Sequence, residues 1–432
     1  MAHIISGIDL WQALDSRGNP TICAQVTIRD TGASNLLGIA HATSPAGASA
    51  GSHEAVFLRD HGSAYGGASV NQLIDRVAPQ LSAALIGRSA DSPREVHDAL
   101  AAIDETDNWS GIGGNTATAI SIAAWLASAN LQEREPWMLI ADYTGTKTPA
   151  LPLPMVNIIS GGAHAARAID IQDVLAIPLR AHTFAGAIES VWNIRNATRE
   201  ILAAQGHATN LVADEGGLAA PFATNESAVQ AVQEAIQSLG QIPGQDSGIG
   251  LDVAASEFFH QGNYSFDGSH ISASELAQIL EKWCHDYGIV SIEDPLSEDD
   301  DWSSLHTLVR QIQLVGDDRY VTTESRLHEG ITLGEANAVL IKPNQSGTLH
   351  GALSTLQAAK KAGWATVVSA RSGETEDSWL VDLAVGAAAG QLKVGSTMRS
   401  ERTAKWNRAL EIEHTSRLPY SGSDAINNPR KM

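Results

Sequence analysis

Seven short apolar runs carry or lead into a charged group: VADEGG (212–217), GLDVAA (250–255), SIEDP (291–295), VGDD (315–318), LIKPNQ (340–345), SARSGE (369–374) and QLKVG (391–395). Three successive runs offer a carboxylate, namely Asp252, Glu293 and Asp317. If those runs are neighbouring strands, the three acids point into one place and repel one another, so a cation is expected among them. Oxygen donors with no nearby Cys or His suit Mg²⁺ or Mn²⁺ better than zinc. Alternatively, each acid caps the helix that follows its strand. That suffices for one acid and is less natural for three at successive strand ends.

The next three runs offer Lys342, Arg371 and Lys393. A lysine inside an apolar strand is costly unless it has a partner or a task. Beside a divalent cation its ammonium is disfavoured, and the neutral amine is then a usable base. A structural ion pair with a strand-end acid is the plainer alternative for either lysine. Arg371 with Ser372 reads as an oxyanion or phosphate fork, or else as a surface loop. Asp214-Glu215-Gly216-Gly217 could place a carboxyl acid across a substrate from a lysine base, which suits β-elimination from a carbon acid, or could be only a turn.

Elements must bring these groups together. After about residue 146 the apolar runs alternate with helical patterns, as parallel βα units do. The strand candidates are Asn210–Ala213, Ile249–Ala255, Ile289–Ile292, Ile312–Val315, Ala338–Ile341, Thr366–Ser369 and Gln391–Val394. So many units suit a closed barrel better than an open doubly wound sheet, and strand C-termini then converge on one face. Ser272 and Glu275 form a capping box before the stripe Leu276, Ile279, Leu280 and Trp283, and Gly288 ends that helix. The first part of the chain is mixed: a strand over Thr21–Ile28, helices over Val70–Leu85 and Pro93–Ile103, and a buried Ala-rich helix over Thr116–Leu131. The proline-rich TKTPALPLP (146–154) marks the boundary, giving an N-terminal α+β capping domain over 1–145 and a barrel with the active site over 146–432.

The chain has 432 residues, 49 acidic against 28 basic, for a formal charge of −21. That balance argues against nucleic-acid or anionic-membrane partners, which need clustered Lys and Arg. No apolar run reaches the roughly 18 residues of a membrane span. The start lacks a signal-peptide pattern, and Cys23 and Cys284 sit in no ligand spacing, so a cytoplasmic protein is expected.

LDSRGNP (14–20), GASAGSHEA (47–55), SGGAHA (160–165), ADEGG (213–217), LDVAASEF (251–258), SIEDP, VGDD, NQSGTL (344–349), RSGETED (371–377) and RSER (399–402) resemble enolase signature segments, in order, along nearly the whole chain. The resemblance implies an N-terminal α+β domain and a C-terminal (β/α)8-type barrel of ββαα(βα)6 form. It also implies two Mg²⁺ per site, conversion of 2-phosphoglycerate to phosphoenolpyruvate through an enediolate, and a homodimer or higher homo-oligomer. By the same resemblance, Asp252, Glu293 and Asp317 match ligands of the tighter metal. Lys342 matches the base at C2, Glu215 the acid for loss of hydroxide, and Asp173 the partner of that acid. Lys393 matches the lysine at the substrate carboxylate, Arg371 and Ser372 match phosphate ligands, and His164 and Gln172 match polar groups beside the substrate. Ser49 matches the lid serine on the second metal.

The metal ligands and both lysines match the family pattern, but other positions depart from it. Ala370 stands where the family has histidine, Asp173 where it has glutamate, Ala46 and Ala50 replace lid hydroxyls, Pro343 follows Lys342, and Ser325 replaces lysine. Ala370 and Asp173 both enlarge the pocket. Within the family this resembles the carboxyphosphonoenolpyruvate synthase branch of phosphonate antibiotic biosynthesis, whose product carries an extra carboxyl on phosphorus. The substrate is then a small phosphorylated or phosphonylated three-carbon acid. An ordinary but divergent phosphopyruvate hydratase and a weakly catalytic binding protein stand as alternatives.

Overall fold

The computed structural model describes residues 3–32, 36–48 and 51–426. The N-terminal part is a three-stranded antiparallel sheet, β1 (His3–Leu14), β2 (Pro20–Asp30) and β3 (Leu37–Thr43), followed by α1 (Asn71–Leu85), α2 (Pro93–Ala101), α3 (Gly114–Leu131) and α4 (Pro136–Thr144). α3 is buried on almost every side. Its run of Ala, Ser and Thr lets it lie close between the sheet and the second part of the chain. There Thr118 Oγ1 donates to the Gly347 carbonyl at 3.1 Å, and Ser121 Oγ accepts the Leu349 N–H at 3.1 Å.

The second part runs β4 (Leu153–Ser160), β5 (Asp173–Ile177), α5 (Phe184–Ala204), α6 (Asn225–Ser238) and β6 (Gly248–Asp252). A small sheet of β7 (Phe259–His260), β8 (Asn263–Phe266) and β9 (Ser269–Ile271) precedes α7 (Ala273–Asp286). Then come β10 (Ile289–Glu293), β11 (Gln313–Gly316), α8 (Glu324–Leu333), β12 (Ala338–Ile341), the short α9 (Pro343–Ser346) and α10 (Leu349–Lys361). The last elements are β13 (Ala365–Ser369), α11 (Trp379–Gly386), β14 (Gly390–Lys393) and α12 (Ser400–Ser416). β4, β5, β6 and β10 to β14 close an eight-stranded barrel, as expected of the closed alternative. β5 alone runs antiparallel to its neighbours. Leu153, Met155, Leu175, Val315, Leu340 and Val367 pack within one apolar cluster of barrel-strand residues. Gln313, Ser291 and Gln391 are buried too, and satisfy one another through hydrogen bonds of 2.8–3.0 Å.

Six of the seven strand candidates are barrel strands. The seventh, Asn210–Ala213, is not: it makes only an isolated bridge between Val212 and Leu218 in the connection from α5 to α6. β4 carries no charged residue and β5 has its one charge, Asp173, at its start and not after its apolar run, and β7 to β9 are too short to show a pattern. Between β10 and β11 the chain makes 3₁₀ turns, Trp302–Leu305 and Leu308–Arg310, in place of an α-helix. The capping box of α7 forms as expected from Ser272 and Glu275. No helix among the described residues is long and apolar enough to cross a membrane.

Candidate active site

Strand register assembles the site. Ser160, the last residue of β4, pairs with Asp173, the first of β5; Asp173 pairs with Asp252, and Asp252 with Glu293. Because β5 runs backwards, its first residue reaches the same rim as the last residues of the parallel strands. Asp317 follows β11, Lys342 follows β12, Arg371 and Ser372 follow β13, and Lys393 ends β14. His164 and Gln172 lie in the β4–β5 connection. One pocket at this rim is lined by His164, Gln172, Glu215, Asp252, Asp317, Lys342, Arg371, Ser372 and Lys393, with a free volume of about 40 Å³. Ser49 lies outside the described residues.

The acids and lysines form a dense network. Lys393 Nζ donates to Asp252 Oδ2 at 2.6 Å and Glu293 Oε2 at 2.7 Å, and Lys342 Nζ donates to Asp317 Oδ2. Burial works against the Lys393 charge, yet Asp252 and Glu293 hold its ammonium well above the ordinary range. Burial also works against the Lys342 charge, and Asp317 more than offsets it. Glu293 is raised well above a normal carboxyl, first by burial and then by Asp252. Its Oε1 is buried with no hydrogen-bond partner among the described residues. Asp317 also gathers with Asp294 and Asp318, their oxygens within 4.8 Å of one another. Asp294 accepts the N–H groups of Asp317 and Asp318 at 2.8 Å each. Burial and then Asp317 push Asp318 up to about 8. An all-oxygen donor set, crowded past what its two lysines neutralise and containing an unpaired buried oxygen, fits a hard divalent cation.

The other side of the pocket holds a second cluster. His164 Nδ1 lies 3.0 Å from Asp173 Oδ2, and its Nε2 3.8 Å from Glu215 Oε1. Burial opposes the imidazolium, but Asp173 and Glu215 hold it up to about 9. Asp173 is fully buried, takes a 2.5 Å hydrogen bond from Ser160 Oγ, and is raised by that burial despite His164. Burial would raise Glu215 too; His164, then Arg402 and Lys393, instead lower it to about 2. Asn157 Nδ2 donates to Glu215 Oε2 at 3.0 Å. The two glycines after Glu215 allow this placement. A Cβ on Gly216 would come 2.5 Å from the Met398 carbonyl, and one on Gly217 would come 2.3 Å from Ser160 Oγ.

At the third side, Arg371 Nη1 and Nη2 meet Glu54 Oε2 and Oε1 at 2.8 and 3.2 Å. Ser372 Oγ accepts the Ala48 N–H at 2.5 Å, and Ala46 and Gly373 exchange backbone hydrogen bonds at 2.8 Å. The N-terminal strap therefore crosses the barrel mouth at the fork. Ala370 is buried and its methyl lines the pocket between Ser369 and Arg371.

Sequence reading overlooked Asp294, Asp318, Glu54, Gln345, Asn157 and Arg402. The first two are the second members of acid doublets in SIEDP and VGDD. Strand alternation would turn one of the Glu293–Asp294 pair away, but Asp294 has a left-handed φ of 41° that breaks it, and Asp317 and Asp318 both lie past the end of β11, where alternation no longer applies. Glu54 sits in the quoted GASAGSHEA segment, but only the fold shows that it reaches Arg371.

Family models match both parts of the chain: the enolase N-terminal domain over residues 5–140, and the enolase C-terminal TIM barrel domain over residues 148–428.

Proposed function

The chain belongs to the enolase family, and from that premise we propose that it removes the C2 proton of a small phosphorylated or phosphonylated three-carbon acid to give an enolpyruvate product. The observation that carries this is the convergence of Lys342, Glu215, Lys393 and Arg371 on one pocket from separate parts of the barrel. Asp252, Glu293 and Asp317 are the residues that would hold Mg²⁺, with Ser49 for a second ion. When bound there, a divalent cation supplies positive charge that stabilises the negative charge gathering on the substrate carboxylate.

The residues divide the remaining work. Lys342 can accept the proton only as the free amine, so it must leave Asp317, the partner that now keeps it charged. Lys393 meets the substrate carboxylate. Glu215 stands near β4, three strands round the barrel from β12 and Lys342, and delivers a proton to the departing hydroxide. It is held ionised here, first by His164, so it must take up a proton before it can act as the acid; His164, with Nε2 3.8 Å away, is the titratable group beside it. Arg371 and Ser372 take the phosphorus oxygens, and Gln172, donating to Asp252 Oδ2 at 3.2 Å, steadies that carboxylate.

Ala370 lines the pocket beside Arg371 and leaves room at the phosphate that a histidine would fill, whereas Asp173 is buried behind His164 and acts through it. The room at Ala370 supports a bulkier phosphorus substituent, as carboxyphosphonoenolpyruvate synthase would need. Retention of Lys342, Lys393, Glu215 and the acids Asp252, Glu293 and Asp317 supports an ordinary 2-phosphoglycerate hydratase. NMR of 2-phosphoglycerate with the protein and Mg²⁺ in deuterated water separates them. Loss of the C2 proton signal with little vinyl product supports the widened pocket, and phosphonoformate-type donors are then tested. Rapid phosphoenolpyruvate formation supports the hydratase. Neither exchange nor product would rule out proton abstraction on this substrate class.

A further inference from the structure

Glu54 is out of place electrostatically. It lies in the N-terminal part of the chain, yet it is buried against Arg371, 317 positions away, in a two-point contact of 2.8 and 3.2 Å. Its Oε1 also accepts the Gly51 N–H at 3.0 Å and Gln345 Nε2 at 3.3 Å. Gln345 Nε2 in turn donates to Asp317 Oδ1 at 2.9 Å, and its Oε1 accepts from Thr322 Oγ1 at 2.7 Å. Asn344 Oδ1 accepts a further Arg371 Nη1 hydrogen bond at 3.3 Å. One carboxylate thus ties together the strap, the guanidinium and the side chain that reaches a proposed metal ligand.

A carboxylate this close to a guanidinium opposes any second anion at the same group. It lowers affinity for the phosphate that Arg371 is proposed to read. What it supplies in exchange is orientation: the two-point contact fixes the plane of the guanidinium, and a planar fork recognises an anion only along fixed directions. We propose that Glu54 is the positioning residue of the phosphate fork, holding Arg371 in the plane needed for turnover at a cost in anion affinity. This rests on the proposed role of Arg371 as a phosphorus-oxygen ligand.

The test has two independent readouts, on the full-length protein with Mg²⁺. The first is the dissociation constant of inorganic phosphate alone; the second is the C2 exchange rate at saturating 2-phosphoglycerate. For Glu54→Gln, phosphate should bind about tenfold tighter, because the opposing charge is gone. Exchange should slow by roughly 100-fold, because the fork is no longer held. Glu54→Asp keeps the charge on a shorter stem, so phosphate affinity should stay near wild type while exchange falls. A purely structural contact would weaken both together. Unchanged or weaker phosphate binding in a folded Glu54→Gln protein overturns the proposal, as does unchanged exchange. Should Glu54→Gln not fold, wild-type exchange in Glu54→Asp would overturn it. If the wild-type protein exchanges no proton, the functional reading fails and the turnover role of Glu54 fails with it, while unchanged or weaker phosphate binding in Glu54→Gln with normal wild-type exchange overturns the proposal for Glu54 alone.

Discussion

At the residue scale the proposed base and acid are distinguishable by what each should stop. Lys342→Ala should abolish C2 proton exchange, since among the described residues the other amine lining the pocket is Lys393, which is tied to Asp252 and Glu293. Glu215→Gln should keep exchange and block elimination, because the amide cannot give a proton to hydroxide. Exchange lost along with elimination would contradict the acid assignment. Ala370→His should raise phosphoenolpyruvate formation if the pocket is widened for another substrate, as followed by the vinyl signals. No gain, in a protein that already forms the product quickly, would favour the ordinary hydratase. The types and order of these residues were legible in the chain. The doublet partner Asp294 and the carboxylate of Glu54 were not, because a φ of 41° at Asp294 and a contact spanning the two parts of the chain have no local signature.

At the element scale the antiparallel β5 is the feature that local pattern reading passed over. Its five residues, Asp173 to Ile177, are all buried, and only its pairing direction puts Asp173 beside Asp252 at the mouth. The close approach of helices shows a similar dependence on partners. Gly386, the last residue of α11, would with a Cβ meet the Trp137 carbonyl of α4 at 2.3 Å and Ile140 Cβ at 2.7 Å. Gly386→Ala should therefore force α4 and α11 apart and destabilise the fold by about 2 kcal/mol. Urea unfolding of the variant measures it. Wild-type stability would mean that the two helices adjust without strain.

At the scale of the whole molecule, burying titratable groups makes stability depend on pH. His164 is raised from 6.5 to about 9, so its contribution is complete below pH 6.5 and is lost as pH rises to 9. Asp318, raised from 3.8 to about 8, acts in the same direction, since the folded chain favours its protonated form and pays for ionisation across that range. Urea unfolding in EDTA should show stability falling between pH 6.5 and 9, and His164→Gln should flatten that fall. Adding Mg²⁺ should stabilise the protein more at pH 8 than at pH 6, because bound carboxylates must be ionised. A level profile in EDTA would contradict the charged state assigned to His164.

The chain by itself determined six of the barrel strands and the charged groups that end them. Local spacing of apolar residues sets strand and helix identity, and the ordered segments identify the family. Only the tertiary structure decided what those groups do to one another. Register aligned Asp173, Asp252 and Glu293, barrel closure set Lys342 across from Glu215, and docking of the strap brought Glu54 onto Arg371. The physical reason is range. Apolar periodicity acts over a few residues, whereas charge and hydrogen bonding depend on distance in space, which neighbours in sequence do not reveal.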